Sequence, residues 1–307
     1  MAIQQIKREN REEWLALRKG YIGGSDAASV VGLNEYQSPY ALWCEKTGVT
    51  PAFEGNERTR VGTFLEDYVA KRFEEETGKK VRKSNFSFVN DDYPWALADV
   101  DRFVIGEEAI LECKTTSELN MKHYRSGDYP ARFYVQCQHY MAVLNKKKAY
   151  LAVLIGNRDF KMFEIDREED EISALMEAEK QFYEWMETRK EPPASPVDVD
   201  SIELAHPESN GTSIELFGSQ NIMRQYLELK SRIAEMEKEA DGIAAVLKQD
   251  MGDAEKGTDG EYICTWANRT RTTFDKKAFQ KANPNIDLSP WEKTTSYRAF
   301  SIKKVEE

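Results

Sequence analysis

The chain has 307 residues, of which 40% are hydrophobic and 32% charged, and its 14 Phe, 14 Tyr and 6 Trp are enough for a buried core. No run approaches the ~18 apolar residues of a membrane span, and residues 1–10 (MAIQQIKREN) lack the apolar segment of a signal peptide, so we expect a cytoplasmic protein. The four cysteines show no CxxC spacing, which argues against a disulfide framework, a zinc knuckle or an iron–sulfur cluster. The 43 basic and 54 acidic residues give a net charge of −11, so any contact with nucleic acid must use local cationic patches.

The first part of the chain predicts four helices. They cover residues 8–20, a short segment after the Gly-rich turn at 22–24 that ends at Val31, residues 39–46 and residues 60–77. Ser25 or Asp26 is the expected cap of the second helix, and Ser38 with Pro39 starts the third. Gly78 ends the fourth, whose predicted core-facing stripe is Val61, Phe64, Leu65, Tyr68, Val69 and Phe73.

The hydrophobic pattern then changes to that of strands. Strand-like segments lie at residue 81, at 86–88, 95–105, 109–114, 149–155 and 160–165, and helices are predicted over 131–145 and 167–189. This order predicts an α/β fold in which helices flank a central mixed sheet.

The C-terminal third has a different character. The segment 191–196 (EPPASP) breaks the preceding helix, and we divide the chain into a core at 1–205 and an appendage at 206–307. The appendage contains strand-like runs at 261–273 and 294–303 around a short helix near 275–282. Its main feature is an unbroken a/d repeat, formed by Ile222, Tyr226, Leu229, Ile233, Met236, Ala240, Ile243 and Leu247. Contact between protomers, docking of a partner and packing on its own strands all remain open for this stripe.

An acid and a lysine two residues apart mark the candidate site. The acid-x-Lys pattern occurs four times, as often as composition alone would give, but only Glu112 and Lys114 sit in a predicted strand with another strand acid, Asp101, shortly before them. Residues i and i+2 of a strand share a face, so Glu112 and Lys114 point the same way. Carboxylates are ligands that Mg²⁺ prefers, and a lysine beside them can position and polarise an attacking water. The alternative is a salt-bridged, solvated strand face.

Two helices add polar groups to this pattern. Glu66 lies in the 60–77 helix between residues expected to face the core, and Gln136 and Tyr140, four residues apart, share one face of the 131–145 helix.

Five segments, taken in order, resemble a known family. They are RKGYIGGSDAA (18–28), GTFLED (62–67), ADVDR (98–102), LECK (111–114) and YVQCQHY (134–140). Over about residues 8–190 the chain resembles the YqaJ-like viral recombinase, or phage lambda-type exonuclease, family of the PD-(D/E)xK nuclease superfamily. The resemblance implies a central mixed sheet with flanking helices and Mg²⁺-dependent 5′-to-3′ digestion of one strand of linear double-stranded DNA. It also implies a role in phage-type homologous recombination by single-strand annealing.

The resemblance assigns roles to individual residues. Asp101, Glu112 and Glu66 would be metal-associated together with the backbone carbonyl of Cys113, Lys114 would orient and activate the water, and Gln136 would support the site. Val100 stands where the family name has proline, which leaves Asp101 rather than Asp99 in the motif position. Arg18 and Ser25 match the family's 5′-phosphate pocket. Simpler roles also remain: a surface acid for Glu66, a buried hydrogen-bonding group for Gln136, an ion-pair partner of Glu12 or Glu13 for Arg18, and a helix cap for Ser25.

The implied partners are double-stranded DNA ends, a phage single-strand annealing protein and further copies of the chain in a ring-shaped trimer, in the cytoplasm of a bacterial host. Two Mg²⁺ per site are expected, and Mn²⁺ is expected to be able to replace them. One rival is an endonuclease or RecB-type nuclease of the same superfamily, against which Arg18 and Ser25 argue because an endonuclease needs no terminal-phosphate pocket. The other is a catalytically silent DNA-end-binding or assembly module, against which the intact acid–acid–lysine set argues.

Overall fold

The structure is a computed structural model that describes residues 2–293 and 295–304, with the side chains of residues 125 and 126 left out. The chain forms two compact units, Met1–His206 and Pro207–Glu307. Each unit is described by itself below.

The four helices predicted in the first part of the chain are present. The elements are β1 (Ile3–Lys7), α1 (Arg11–Lys19), β2 (Ile22–Gly23), α2 (Gly24–Val30), α3 (Pro39–Lys46) and α4 (Glu57–Thr77). Ser38 caps α3 as predicted, by accepting from the Ala41 N–H. The prediction that Ser25 caps α2 was wrong, because Gly23 is the cap residue. Asp26 accepts a hydrogen bond of 2.9 Å from the Gly23 N–H.

The rest of the first unit alternates strands and helices. Its elements are β3 (Val81–Arg82), β4 (Phe86–Asn90), β5 (Tyr93–Ala98), β6 (Arg102–Val104), β7 (Ala109–Thr116), a 3-10 segment (Glu118–Gly127), α5 (Ala131–Leu144), β8 (Lys148–Ile155), β9 (Asp159–Asp166), α6 (Glu169–Glu187) and α7 (Val199–Ala205). The helix predicted over 167–189 is α6, and the segment 191–196 ends it as expected. After this segment the chain still belongs to the first unit. Asp198 is buried there and accepts a hydrogen bond from Ser38, the cap residue of α3.

The strands of the first unit form two sheets rather than one. The larger has the order β3-β6-β7-β8-β9, with β7 and β8 parallel through the α5 crossover and the other neighbours antiparallel. The smaller has the order β1-β4-β5-β2. The predicted single strand at 95–105 is therefore two strands in different sheets, and residues 99–101 connect them. The α/β class with flanking helices is confirmed.

Helix α5 lies in the core, and every residue from Val135 to Leu144 is buried. It packs against α2, α6 and strands of both sheets, so only its first turn reaches solvent. Helix α4 covers β7 and β8, and its buried residues are Val69, Ala70 and Phe73. The predicted stripe of α4 was wrong in its first half, because Gly62 faces Thr115 of β7 there and Phe64 is 83% exposed.

The second unit contains α8 (Gln220–Met251), a hairpin of β10 (Lys256–Thr258) and β11 (Ile263–Thr265), α9 (Lys276–Ala282) and a 3-10 turn (Ser289–Trp291). The long helix and the short helix are confirmed. The predicted strand at 294–303 was wrong for residues 295–303, which form no strand, and Thr294 lies outside the described residues. In the described part of the chain, no helix has the length and apolarity needed to cross a membrane.

Candidate active site

Strand β7 carries the acid and the lysine of the candidate site on one face. Glu112 is 3% exposed, and its Oε1 lies 2.7 Å from Lys114 Nζ and accepts a hydrogen bond of 2.8 Å from Gln136 Nε2 on α5. Leu111, whose side chain points the other way, is fully buried in a hydrophobic cluster that includes Phe73 of α4. The alternation of β7 thus places the polar pair between the sheet and α5.

Asp101 reaches the same place from the connection between the two sheets. Its Oδ2 accepts a hydrogen bond of 2.7 Å from the backbone N–H of Cys113, the residue between Glu112 and Lys114. The structure therefore brings Asp101, Glu112 and Lys114 together as the spacing predicted, although Asp101 lies in the connection rather than within a strand.

The three ionisable groups change one another's proton affinity. Burial, followed by the nearby Glu112 charge, raises the pKa of Asp101 well above its usual range. Burial also raises the pKa of Glu112, although Lys114 opposes this shift. Burial alone would lower the pKa of Lys114, but Glu112 and Asp101 together raise it, so the lysine is an ammonium ion at neutral pH.

A divalent cation fits the chemistry of this cluster. Glu112 Oε2 is buried and has no hydrogen-bond partner among the described residues, and the half-buried Asp101 lies near the ammonium ion with which Glu112 pairs. The negative charge of two carboxylates exceeds the positive charge of one lysine, and a cation would balance it. Carboxylate oxygens are also the ligands that Mg²⁺ prefers. In the described part of the chain, no group of three or more His, Cys, Asp or Glu side chains is arranged to hold a metal, and this cluster contains the two carboxyl groups of Asp101 and Glu112.

Glu66, the third predicted metal-associated acid, makes ion pairs instead. Its Oε1 lies 3.1 Å from Lys83 Nζ and also contacts the buried Arg102 guanidinium. Arg102 Nη1 in turn donates to the carbonyl of Asp101 at 2.6 Å. Arg102 therefore lies between Glu66 and Asp101, and the charge of Glu66 still raises the pKa of the Asp101 carboxyl.

Helix α5 links the acid cluster to the start of α2, where Ser25 lies. Gln136 Nε2 donates to Tyr140 Oη at 3.1 Å as well as to Glu112. The Tyr140 ring packs on Gly24 so closely that a Cβ on Gly24 would lie 2.4 Å from the ring. The Gln136 and Tyr140 pair predicted from its spacing is therefore present on one face of α5, and Gln136 contacts the acid directly.

Arg18 and Ser25, predicted from the resemblance, also lie together. Arg18 Nη2 donates to Ser25 Oγ at 2.8 Å, and its acidic neighbour is Asp26 at 3.6 Å. Lys46 Nζ lies 2.6 Å from the other oxygen of Asp26. Burial alone would raise the pKa of Asp26, but Lys46 and Arg18 lower it, so one carboxylate is shared by two cations. Lys46 was missed from the sequence because it ends α3, 28 residues from the Arg18 carbonyl that it also contacts.

A groove of about 450 Å³ lies near Lys114. Lys114 Nζ lies 5.1 Å from the centre of the Phe133 ring, and the guanidinium of Arg132 lies 4.6 Å from the same ring. Arg132 and Tyr36 both line the groove, where the guanidinium lies 5.1 Å from the Tyr36 ring. Sequence reasoning missed Arg132, because a single arginine in the first turn of a helix carries no signal of its own.

Comparison with solved structures defines the class of fold. The alkaline exonuclease LHK-Exo of Laribacter hongkongensis superimposes with a TM-score of 0.51 and 19% identity, over 58% of this chain and 94% of that one. A second structure of LHK-Exo, in complex with dAMP, gives a TM-score of 0.49 and 20% identity over the same shares. At this level of identity the likeness shows that the chain has the fold of an alkaline exonuclease.

Sequence comparison then identifies the family. Residues 13–147 match the YqaJ-like viral recombinase domain. The protein YqaJ of Bacillus subtilis (strain 168), itself uncharacterized, is 37% identical over 304 residues, which cover 96% of this chain and 95% of that protein. The chain belongs to the YqaJ-like viral recombinase family, and the predicted resemblance is confirmed.

Proposed function

We propose that this protein is a metal-dependent exonuclease that digests one strand of linear double-stranded DNA from its 5′ end. The observation that carries the proposal is the Asp101–Glu112–Lys114 cluster, in which Glu112 is buried and one of its oxygens has no hydrogen-bond partner among the described residues. The alkaline exonuclease fold and membership of a viral recombinase family support it.

Each residue of the cluster would have a separate role in hydrolysis. Asp101 and Glu112 would hold Mg²⁺, which Mn²⁺ would be able to replace, and a metal held there would supply stabilisation of negative charge on the phosphate. Lys114 is an ammonium ion that donates hydrogen bonds and has no lone pair, so its role is to orient the water and an anionic phosphate oxygen. Gln136 fixes the rotamer of Glu112 through the 2.8 Å hydrogen bond. Glu66 would join the metal-associated set only after its contacts with Arg102 and Lys83 open.

Arg18 and Ser25 would bind the terminal 5′-phosphate. The two cations Arg18 and Lys46 face the single carboxylate of Asp26, so the pocket keeps a net positive charge for an anion. A guanidinium suits phosphate because it donates in a planar fork. Digestion from a 5′ end leaves a 3′ single strand, which is the substrate that a single-strand annealing protein requires.

The decisive experiment compares linear and circular duplex DNA with Mg²⁺. We expect digestion of the linear form alone, and EDTA should stop it. Glu112→Gln should lower the rate by at least about a hundredfold, because it removes a charge that the metal needs.

Asp159→Asn is the matched control. Asp159 and Lys161 repeat the acid-x-Lys pattern on strand β9, where Asp159 Oδ2 lies 3.1 Å from Lys161 Nζ and both side chains are partly exposed. This variant should keep the wild-type rate. Equal digestion of circular DNA would instead indicate an endonuclease, and binding of ends without digestion would indicate a silent end-binding module.

A further inference from the structure

Helix α8 presents an apolar stripe that its own chain leaves largely uncovered. The helix has 32 residues, all of them described, and none is buried. At about 1.5 Å per residue it is roughly 48 Å long. Leu229 is 54% exposed and Met236 65% exposed in its middle. Its contacts with aromatic side chains of the C-terminal tail lie near its ends, where Phe300 touches Tyr226 and Trp266 lies under Lys248.

We propose that this stripe pairs with α8 of a second copy of the chain, as an antiparallel two-stranded coiled coil centred between Ala234 and Glu235. The step of 4-3-4-3 makes Tyr226, Ile233, Ala240 and Leu247 the a positions and Ile222, Leu229, Met236 and Ile243 the d positions. In an antiparallel pair, each a residue lies opposite a d residue of the other helix. This register uses all eight stripe residues and leaves none without a partner.

The side-chain volumes fit this register. The layers formed are Ile222 with Leu247, Tyr226 with Ile243, Leu229 with Ala240, and Ile233 with Met236, each of them made twice by the twofold axis. Leu229 thus lies opposite the small Ala240. A parallel pair in register would place Ala240 opposite Ala240 and Tyr226 opposite Tyr226, which gives one thin layer and one crowded layer.

The flanking charges select the same orientation. In the antiparallel register, Lys230 lies beside Glu237 of the second copy, and Arg232 lies beside Glu239. The twofold axis repeats both contacts, so four pairs of opposite charge flank the seam. A parallel pair would make only the Arg232 and Glu237 contact, twice. Charges at the e and g positions set partner choice and orientation in coiled coils. The pairing is isologous and closed, because the same surface is used on both copies.

Charge reversal tests the register in the full-length protein. Glu237→Lys should halve the mass measured by light scattering at a given concentration, because the introduced lysine would face Lys230 of the second copy. The double variant Lys230→Glu with Glu237→Lys should restore the wild-type mass in the antiparallel register. A parallel pair would not be restored, because the lysine introduced at position 237 would still face Arg232. Lys238→Glu, on the side of the helix away from the seam, is the matched control and should leave the mass unchanged.

Cysteine cross-linking tests the orientation separately. In a background with Cys264→Ser, the pair Leu229→Cys and Ala240→Cys should form disulfide-linked dimers, whereas Leu229→Cys alone should not. Efficient cross-linking by Leu229→Cys alone would overturn the antiparallel arrangement. Equal masses for the wild-type protein and the Glu237→Lys variant would overturn the pairing itself and leave the stripe to another protein or to this chain's own tail.

Discussion

Two carboxylates that lie two residues apart, Asp99 and Asp101, have different roles in this fold. Asp99 Oδ2 accepts from Trp14 Nε1 at 2.8 Å and its other oxygen contacts Ser87, so it attaches α1 to the smaller sheet. Asp101 crosses to the larger sheet and contacts β7. Both acids lie in the connection between β5 and β6, but Asp99 contacts the smaller sheet and Asp101 contacts the larger one.

We predict that Asp99→Asn costs stability and Asp101→Asn does not. Asp99→Asn places an amide N–H₂ against a donor and should lower the free energy of unfolding by about 1–3 kcal/mol. Asp101→Asn keeps an oxygen for the Cys113 N–H and removes a carboxylate whose ionised form is disfavoured by burial. In the metal-free protein it should raise the free energy of unfolding at about pH 8 by about 1 kcal/mol. In the presence of Mg²⁺ the same variant should abolish digestion.

The pH dependence has a definite sign. The pKa of Asp101 is raised in the folded state, so that state binds the proton more tightly than the unfolded chain does. Stability from this group is therefore present below about pH 4, the unfolded value, and is lost as the pH rises through the folded value. Urea denaturation in EDTA across this range should show a steeper fall for the wild-type protein than for Asp101→Asn. Equal slopes would show that the fold does not raise the pKa of the Asp101 carboxyl.

The second prediction at this scale concerns Arg18. A 5′-phosphate carries about −1.5 to −2 charges near pH 7, so a duplex with 5′-phosphate ends should be digested faster than one with 5′-hydroxyl ends. Arg18→Ala should erase this preference and leave the binding of Mg²⁺ unchanged. Equal initial rates on both ends in the wild-type enzyme would contradict the assignment of Arg18 and Ser25.

At the scale of elements, α5 determines the geometry of the site. It is buried on all sides, so its polar side chains must bond within the protein. His139 lies between Glu179 Oε1 on α6, at 2.7 Å, and the Leu97 carbonyl on β5, at 3.0 Å. Gln136 contacts Glu112 one turn away from His139. The same helix therefore joins α6, both sheets and the candidate acid.

The close contact of α2 with α5 gives a prediction for Gly24. Gly24→Ala would place a methyl group 2.4 Å from the Tyr140 ring, so Tyr140 must move and its hydrogen bond with Gln136 must break. We expect a loss of about 1–3 kcal/mol in stability, together with a lower rate of digestion. Thermal denaturation and the DNA assay would measure both.

Gly20→Ala is the control for this variant. The nearest atom to a Cβ at Gly20 is a backbone oxygen 3.7 Å away, which is an ordinary contact. This variant should keep wild-type stability and activity. If Gly24→Ala also keeps both, the ring of Tyr140 is free to shift and does not couple the two helices.

At the scale of the whole molecule, the first unit extends beyond the break at 191–196. Asp198, 1% exposed, accepts from Ser38 and from the N–H and hydroxyl of Ser195, the latter two at 2.6 Å each. This carboxylate fastens the segment before α7 to the start of α3. The residues after the break thus belong to the first unit as far as His206.

We predict that truncation after residue 206 and truncation after residue 196 have different effects. The fragment 1–206 should keep the thermal unfolding temperature of the first unit and should digest linear DNA with Mg²⁺. The fragment 1–196 loses Asp198 and should unfold at a temperature lower by about 5 °C. Calorimetry of both fragments would measure this. An unfolded 1–206 fragment would show that the first unit requires residues after 206.

Local patterns in the sequence determined most of the elements. Ser38 with Pro39, the glycine after α4 and the strand-like runs at 149–155 and 160–165 act within a few residues, so they can be interpreted without knowing the fold. The same holds for the heptad repeat of α8 and for Glu112 and Lys114 on one face of β7. The family resemblance added Arg18 and Ser25, which no local pattern indicated as a site.

Only the tertiary structure decided the contacts between distant residues. Gln136 meets Glu112 across 24 residues and Trp14 meets Asp99 across 85, because strand order determines which segments become neighbours. The exposure of Phe64 and the ion pairs of Glu66 follow from which side of α4 faces the sheet, where Glu66 meets Arg102 of β6. Periodicity shows which residues share a face of an element, but what covers that face depends on packing against elements elsewhere in the chain. The unsatisfied oxygen of Glu112 is for this reason a property of the fold and could not be derived from the acid-x-Lys pattern.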